Sequence, residues 1–232
     1  MEKQKYAAIV LAAGSGKRMN SKVHKQYLII QDRPVLYYSL KAFEDSAVDE
    51  IVLVVGKGEE EFCRKEIVDK YGISKVKAIV EGGKERYHSV FEGLKQTSDA
   101  DYVLIHDGAR PFVNQDIIRR CMQEVQKYQA CVVGMPVKDT IKIADEEGYA
   151  KQTPDRKNVW MIQTPQTFSY ALIYEAYGEM LKTEDTAITD DAMVLERIKG
   201  KKSKLIEGSY RNIKITTPED LLIANVYLQH PE

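Results

Sequence analysis

Cysteine is scarce in this chain of 232 residues: Cys63, Cys121 and Cys131 stand far apart, with no CxxC and no paired histidine spacing. That excludes a disulfide framework and the usual structural zinc site, and it points to buried thiols in a reducing cytosol. Net charge is scarce as well. The 34 Lys and Arg nearly cancel the 35 Asp and Glu, leaving −1, so no global field draws nucleic acid or a membrane surface and any anion site must be built locally. Long apolar runs are missing too. No stretch approaches the roughly 20 apolar residues of a membrane span, and the apolar run near the start breaks at Gly14 and leads into charged sequence, unlike a signal peptide. The expected setting is cytoplasmic, without nucleic-acid or membrane partners.

What is present is a regular alternation. With 44% hydrophobic residues, the chain can bury one large core, and one domain over 1–232 is expected. Short apolar runs at 6–12, 51–55, 76–80, 102–105 and 130–135 predict buried parallel strands. Between them, 34–43, 59–71, 86–96 and 115–128 carry apolar residues at helical spacing. Strand and helix in alternation predict an α/β fold with a doubly wound, mostly parallel sheet, Rossmann-like in plan. After Pro136 the pattern changes. Short strands around 137–143, 149–153 and 159–163, broken by Asp145-Glu146-Glu147-Gly148, predict a β-hairpin arm over 137–160, too short to bury a core alone. Helices near 170–181 and 189–198, a strand at 204–207 and a last helix from Pro218 complete the reading.

The most informative segment ends the first strand: Leu11-Ala12-Ala13-Gly14-Ser15-Gly16-Lys17-Arg18-Met19, then Lys25-Gln26-Tyr27-Leu28. Small residues let backbone N–H groups approach a phosphate chain. Arg18 and Lys25 bring two cations to the same loop, at the strand end where open α/β sheets bind ligands. The pattern is neither GxGxxG, since Met19 holds the third glycine position, nor GxxxxGK[ST], since Arg18 follows Lys17. A dinucleotide-linked oxidoreductase is thereby disfavoured. A bare glycine pair could equally be a tight turn with solvated basic residues, but the Lys25-Gln26-Tyr27-Leu28 segment favours a phosphate site.

Three further segments fall at the same sheet edge. Gly82-Gly83-Lys84-Glu85-Arg86-Tyr87-His88-Ser89 follows the third strand; alone it reads first as a helix start and second as a contact to a base or sugar. In His106-Asp107-Gly108-Ala109-Arg110-Pro111, Asp107 could bond a substrate hydroxyl or a magnesium ion and Arg110 a phosphate, while His106 reads as a structural histidine. In Asn212-Ile213-Lys214-Ile215-Thr216, alternation turns Asn212, Lys214 and Thr216 one way and the isoleucines into the core. Lys214 can thus deliver a cation to the same phosphates, and Thr217 caps the following helix with Pro218 at its first position.

LAAGSGKRM with KQYL, then HDGARPF, ITDDAMVLE and NIKITTPEDL in that order, resemble the motifs of the 2-C-methyl-D-erythritol 4-phosphate cytidylyltransferases, over nearly the whole chain from Ala7 to Ala224. One departure is His24, where many members carry proline. The resemblance implies an enzyme of isoprenoid precursor synthesis in which the phosphate of methylerythritol phosphate attacks the α-phosphorus of CTP in line and expels pyrophosphate. Positioned cations and Mg2+ would do the work rather than a general base. It implies catalytic roles for Arg18, Lys25 and Lys214, a nucleotide cradle of Ala12, Ala13, Gly14, Gly16, Gly82, Gly83 and Ser89, and polyol phosphate contacts from Asp107, Arg110 and Thr189. It also implies a homodimer in which Thr140 and Arg156 of the arm reach the partner's site. The metal ligands stay open. Rival readings are a cytidylyltransferase for ribitol 5-phosphate and a nucleotide-binding regulator without catalysis.

Overall fold

A computed structural model describes residues 3–14, 24–183 and 187–230 of the chain. In chain order the strands are β1 (Tyr6–Ala12), the small hairpin β2 (Ile29–Ile30) and β3 (Arg33–Pro34), β4 (Glu50–Val55), β5 (Val76–Glu81), β6 (Tyr102–Asp107), β7 (Ala130–Pro136), the arm hairpin β8 (Ile143–Ala144) and β9 (Ala150–Gln152), β10 (Trp160–Ser169) and β11 (Lys204–Glu207). The helices are α1 (Val35–Glu44), α2 (Glu60–Cys63), α3 (Arg86–Leu94), α4 (Gln115–Tyr128), α5 (Tyr170–Met180), α6 (Asp191–Lys199) and α7 (Pro218–Gln229). The helix expected over 59–71 is α2 followed by a π-helical stretch, Arg64–Asp69.

Seven strands form one sheet in the order β11-β7-β10-β6-β1-β4-β5. Pairings show six strands running one way and β10 against them. Every residue of β4, EIVLVV, is buried, as a strand covered on both faces must be. Alternation along β1 sends Ala8 and Val10 into the layer with α1 and α4, and Ala7 and Ile9 into the layer with α3 and α5. At Gly93 of α3 a Cβ would stand 2.5 Å from Ile9 Cγ2 and 3.1 Å from Val54 Cγ2. Its absence lets α3 lie close on the sheet and brings the start of that helix to the end of β1.

Two expectations need correction. The strand read at 159–163 is the start of β10, a ten-residue strand that leaves the arm and enters the centre of the sheet between β6 and β7. Its inner half carries Gln163, Thr164, Gln166 and Thr167, all buried; polar residues beside Pro165 read locally as a loop, and pairing with β7 from Trp160 to Ile162 and with both neighbours from Gln166 to Phe168 makes the segment a strand. The segment 212–216 joins no sheet, and Asn212 does not face outward with Lys214. It is fully buried, donating through Nδ2 to Thr164 O at 2.9 Å and Gln163 Oε1 at 3.2 Å.

Candidate active site

The chain runs from β1 to β4 on one side and returns to β6 on the other, so the loops after β1 and β6 diverge and open a crevice at the carboxyl ends of the strands. A cleft of about 390 Å3 lies there. Its floor is the end of β1. Gly108 N–H donates to Leu11 O at 2.8 Å, which locks the β6 loop to that floor. Buried Gln26 donates through Nε2 to Ala12 O, and so holds the Lys25–Tyr27 turn, with Lys25 lining the cleft, beside Ala12, Ala13 and Gly14.

The second wall is the β5–α3 turn. Gly82 N–H donates to Val55 O at 2.8 Å, and a Cβ on Gly82 would stand 2.5 Å from Ala13 Cβ and 2.6 Å from Ser89 Oγ. No side chain fits there. Ser89, almost fully buried, accepts from Gly83 N–H at 3.1 Å, so at the two glycines the wall is backbone and one hydroxyl, with Lys84, Glu85 and Arg86 lining the cleft beside them.

Charge converges on Asp107 at the end of β6. Lys214 Nζ lies 2.8 Å from Asp107 Oδ2, and the Nε atoms of Arg86 and Arg110 lie 3.6 Å from its carboxylate. Burial alone would raise this carboxyl, but the three cations hold it far below the usual carboxylate range. Lys214 is aimed by its neighbour: Ile215 is fully buried and its N–H donates to Ala109 O at 2.8 Å. His106 takes no part in the cleft. Its Nε2 lies 3.1 Å from Arg110 O, which can only accept, so Nδ1 accepts from Thr164 Oγ1 at 3.0 Å; that hydroxyl in turn accepts from Asp107 N–H at 3.0 Å. Burial pushes the imidazole down to about 4, which makes it a neutral brace.

Eight of the residues singled out in the sequence therefore meet in one cleft: Ala12, Ala13, Gly14, Lys25, Gly83, Ser89, Asp107 and Lys214. Gly82 sits directly behind them. Arg18 and Gly16 lie outside the described residues. Arg110 stands behind Asp107, its side chain 12% exposed and donating through Nη1 to Asn212 O at 2.8 Å. Thr189 is exposed, and the cap of α6 is Asp190, which accepts from Met193 N–H at 2.9 Å. Thr140 and Arg156 lie exposed on the arm, with Arg156 Nη1 donating to Lys138 O at 2.9 Å. None of these last four lines the cleft of the single chain.

A family model described as IspD: 2-C-methyl-D-erythritol 4-phosphate cytidylyltransferase matches residues 6–230. The chain belongs to that family. A protein of Lachnospira eligens bearing the name 2-C-methyl-D-erythritol 4-phosphate cytidylyltransferase is 54% identical over 224 residues, which cover 96% of this chain and 98% of that protein. One of Lachnoclostridium phytofermentans with the same name is 50% identical over 226 residues, 97% of each chain. Among solved structures, 4-diphosphocytidyl-2C-methyl-D-erythritol synthase from Anaerococcus prevotii superposes with a TM-score of 0.86 at 38% identity, covering 98% of this chain and 97% of that one. The Thermus thermophilus cytidylyltransferase gives 0.78 at 29% identity, covering 95% and 98%.

Sequence reading passed over Arg86 in this cytidylyltransferase cleft. It lines the cleft and donates from Nη1 and Nη2 to Asp191 at 2.8 and 2.7 Å, while Tyr177 Oη donates to the same carboxylate at 2.5 Å. Asp191 is fully buried, so the pair ties the start of α3 to the start of α6. One signal was available: an arginine in the first turn of a helix opposes the helix dipole and needs another reason to be there.

Proposed function

We propose that this cleft is where the chain performs the cytidylyltransferase reaction of its family, joining CTP to 2-C-methyl-D-erythritol 4-phosphate in isoprenoid precursor synthesis. The observation that carries the assignment is the convergence of Lys25, Lys214 and the Ala12–Gly14 backbone on one cleft that also holds Asp107. The triphosphate lies over Ala12, Ala13 and Gly14, and Arg18 and Gly16, outside the described residues, are assigned to the same triphosphate by the family motif. Gly83 and Ser89 face the base and ribose, with Gly82 behind them. An oxygen of the polyol phosphate forms a new bond to the α-phosphorus as the bond to pyrophosphate breaks. The attacking oxygen is already anionic, so no proton need be removed, and His106, buried and neutral, is not a base.

The obstacle is repulsion between anions and charge growth on the α-phosphate oxygens, which fixed cations offset best in a preorganised site. Lys25 serves the triphosphate. Lys214, paired with Asp107, is placed to shift onto phosphate, while Asp107 then accepts from a polyol hydroxyl. Of the two carboxylates lining the cleft, Glu85 caps α3 and Asp107 is held by three cations, and among the described residues no three metal-ligating side chains converge. That donor set fits a magnesium ion carried largely by the substrate phosphates and touched at most by Asp107. Such an ion supplies further positive charge to the phosphate oxygens.

The arm is assigned to a second subunit. Ile143 and Tyr149 are 47% and 70% exposed on a hairpin of two short strands, and a homodimer would cover them while carrying Thr140 and Arg156 toward the partner's polyol phosphate. Arg110, behind Asp107, and Thr189, just before the cap of α6, are assigned to the same phosphate. Purified protein with CTP and Mg2+ should release pyrophosphate with 2-C-methyl-D-erythritol 4-phosphate and not with ribitol 5-phosphate. Release with ribitol 5-phosphate alone overturns the substrate, and release with neither overturns the enzyme.

A further inference from the structure

Among the described residues, the turn that bears Lys25 has an inner restraint, Gln26 to Ala12 O, that touches the cleft floor, and an outer one that does not. The outer restraint converges on Glu59, which does not line the cleft. Glu59 Oε2 accepts from Tyr27 Oη at 2.7 Å and from Gly56 N–H at 3.0 Å. His24 Nδ1 approaches Glu59 Oε1 to 2.7 Å, at ion-pair distance. Thus the residues one before and two after Lys25 both meet one carboxylate that projects from the turn after β4, Tyr27 by a hydrogen bond and His24 by the close approach of its ring.

The arrangement is built rather than incidental. A Cβ at Gly56 would stand 2.6 Å from Glu59 Oε2, so glycine is what admits the carboxylate. Glu59 occupies the cap position of α2 yet makes no side-chain hydrogen bond to that helix; its charge is directed to the turn. Tyr27 packs edge-on against Phe62 at 5.1 Å, and its hydroxyl lies 3.1 Å from Cys63 Sγ. Burial, with Cys63 and Glu59 adding to it, pushes the phenol well above its ordinary value, which keeps it a neutral donor. The backbone at His24 is extended, with φ −61° and ψ 139°, a φ that a proline ring fixes by itself and a ψ in the polyproline range.

We propose that Glu59 is a positioning residue for the phosphate-transfer cation: through His24 and Tyr27 it orients the Lys25 turn toward the triphosphate, an external restraint where a proline at position 24 would stiffen the backbone directly. The inference rests on the assignment of Lys25 to CTP. A carboxylate outside the cleft acts here through geometry, since small displacements of a catalytic group have large kinetic effects.

The test compares Glu59→Gln, Glu59→Gln with His24→Pro, and Lys25→Ala, in steady-state kinetics with each substrate varied and with thermal midpoints measured alongside. Glu59→Gln should raise KM for CTP by roughly tenfold and leave KM for the polyol phosphate unchanged. Adding His24→Pro should restore most of the CTP affinity, which a general loss of packing would not permit. Unchanged KM for CTP in Glu59→Gln beside a crippled Lys25→Ala defeats the positioning role alone. Equal rises in both KM values with a fallen midpoint and no recovery in the double variant also defeat it. Near-normal turnover in Lys25→Ala instead overturns the assignment of Lys25 on which the inference stands.

Discussion

Asp107 shows how one residue type can be expected from sequence and still be understood only in place. It is a carboxylate at a strand end, surrounded by Lys214, Arg86 and Arg110, so it balances cations besides the substrate contact proposed for it. Lys25→Ala and Lys214→Ala should each lower turnover by a factor on the order of a hundred while sparing the fold, as loss of a preorganised charge does; single-turnover measurements with saturating CTP check it. His106 gives a pH prediction. Its folded value of about 4 lies below the ordinary 6.5, so between these values the unfolded chain binds the extra proton and stability falls as pH drops from 6.5 toward 4. Above 6.5 its contribution is fully present. Urea midpoints across this range should fall less in His106→Gln than in the parent once each is referred to its own value at pH 7.

At the scale of elements, the cleft depends on how closely α3 and the β1 loop approach. Gly82→Ala would place a methyl group against Ala13 and Ser89 Oγ, both part of the cleft wall, so the turn must move. Titration calorimetry should show weakened CTP binding, with a thermal midpoint close to the parent's because the clash is at a surface turn. The last helix offers a control unrelated to chemistry. Thr217 and Asp220 form a reciprocal capping box with Pro218 at the first position, and Thr217→Ala should cost about 1 kcal/mol. In a chain of this length that lowers the melting temperature by roughly 2–4 °C, with turnover at 25 °C unchanged.

At the scale of the whole molecule, the single chain leaves its arm projecting with Thr140 and Arg156 away from the cleft lining, and the proposed dimer gives those residues a place to act. Arg156→Ala should raise KM for the polyol phosphate and leave KM for CTP unchanged. Replacing both Ile143 and Tyr149 by serine should shift sedimentation toward monomer and lower activity in a concentration-dependent way, since each site then lacks its partner's arm. Activity independent of protein concentration in that variant would remove the arm from the site.

How much of this was legible follows from the range of the interactions. The strands at 6–12 and 130–135, the helix at 115–128 and the cap at Thr217 were readable because apolar period and capping are local, set by residues within a few positions of one another. Their motifs also carried the family, and with it the reaction. What tertiary structure alone decided is long-range: β10 in the middle of the sheet, built from buried Gln and Thr; Asn212 turned inward onto Thr164; Arg86 clasping Asp191 from 105 positions away; and Glu59 holding the turn that bears Lys25. Asn212 and Asp191 are buried polar groups held by partners far along the chain, and Arg86 and Glu59 are half-buried ones held in the same way. Local sequence shows that such a group is polar, and the fold shows what it is polar for.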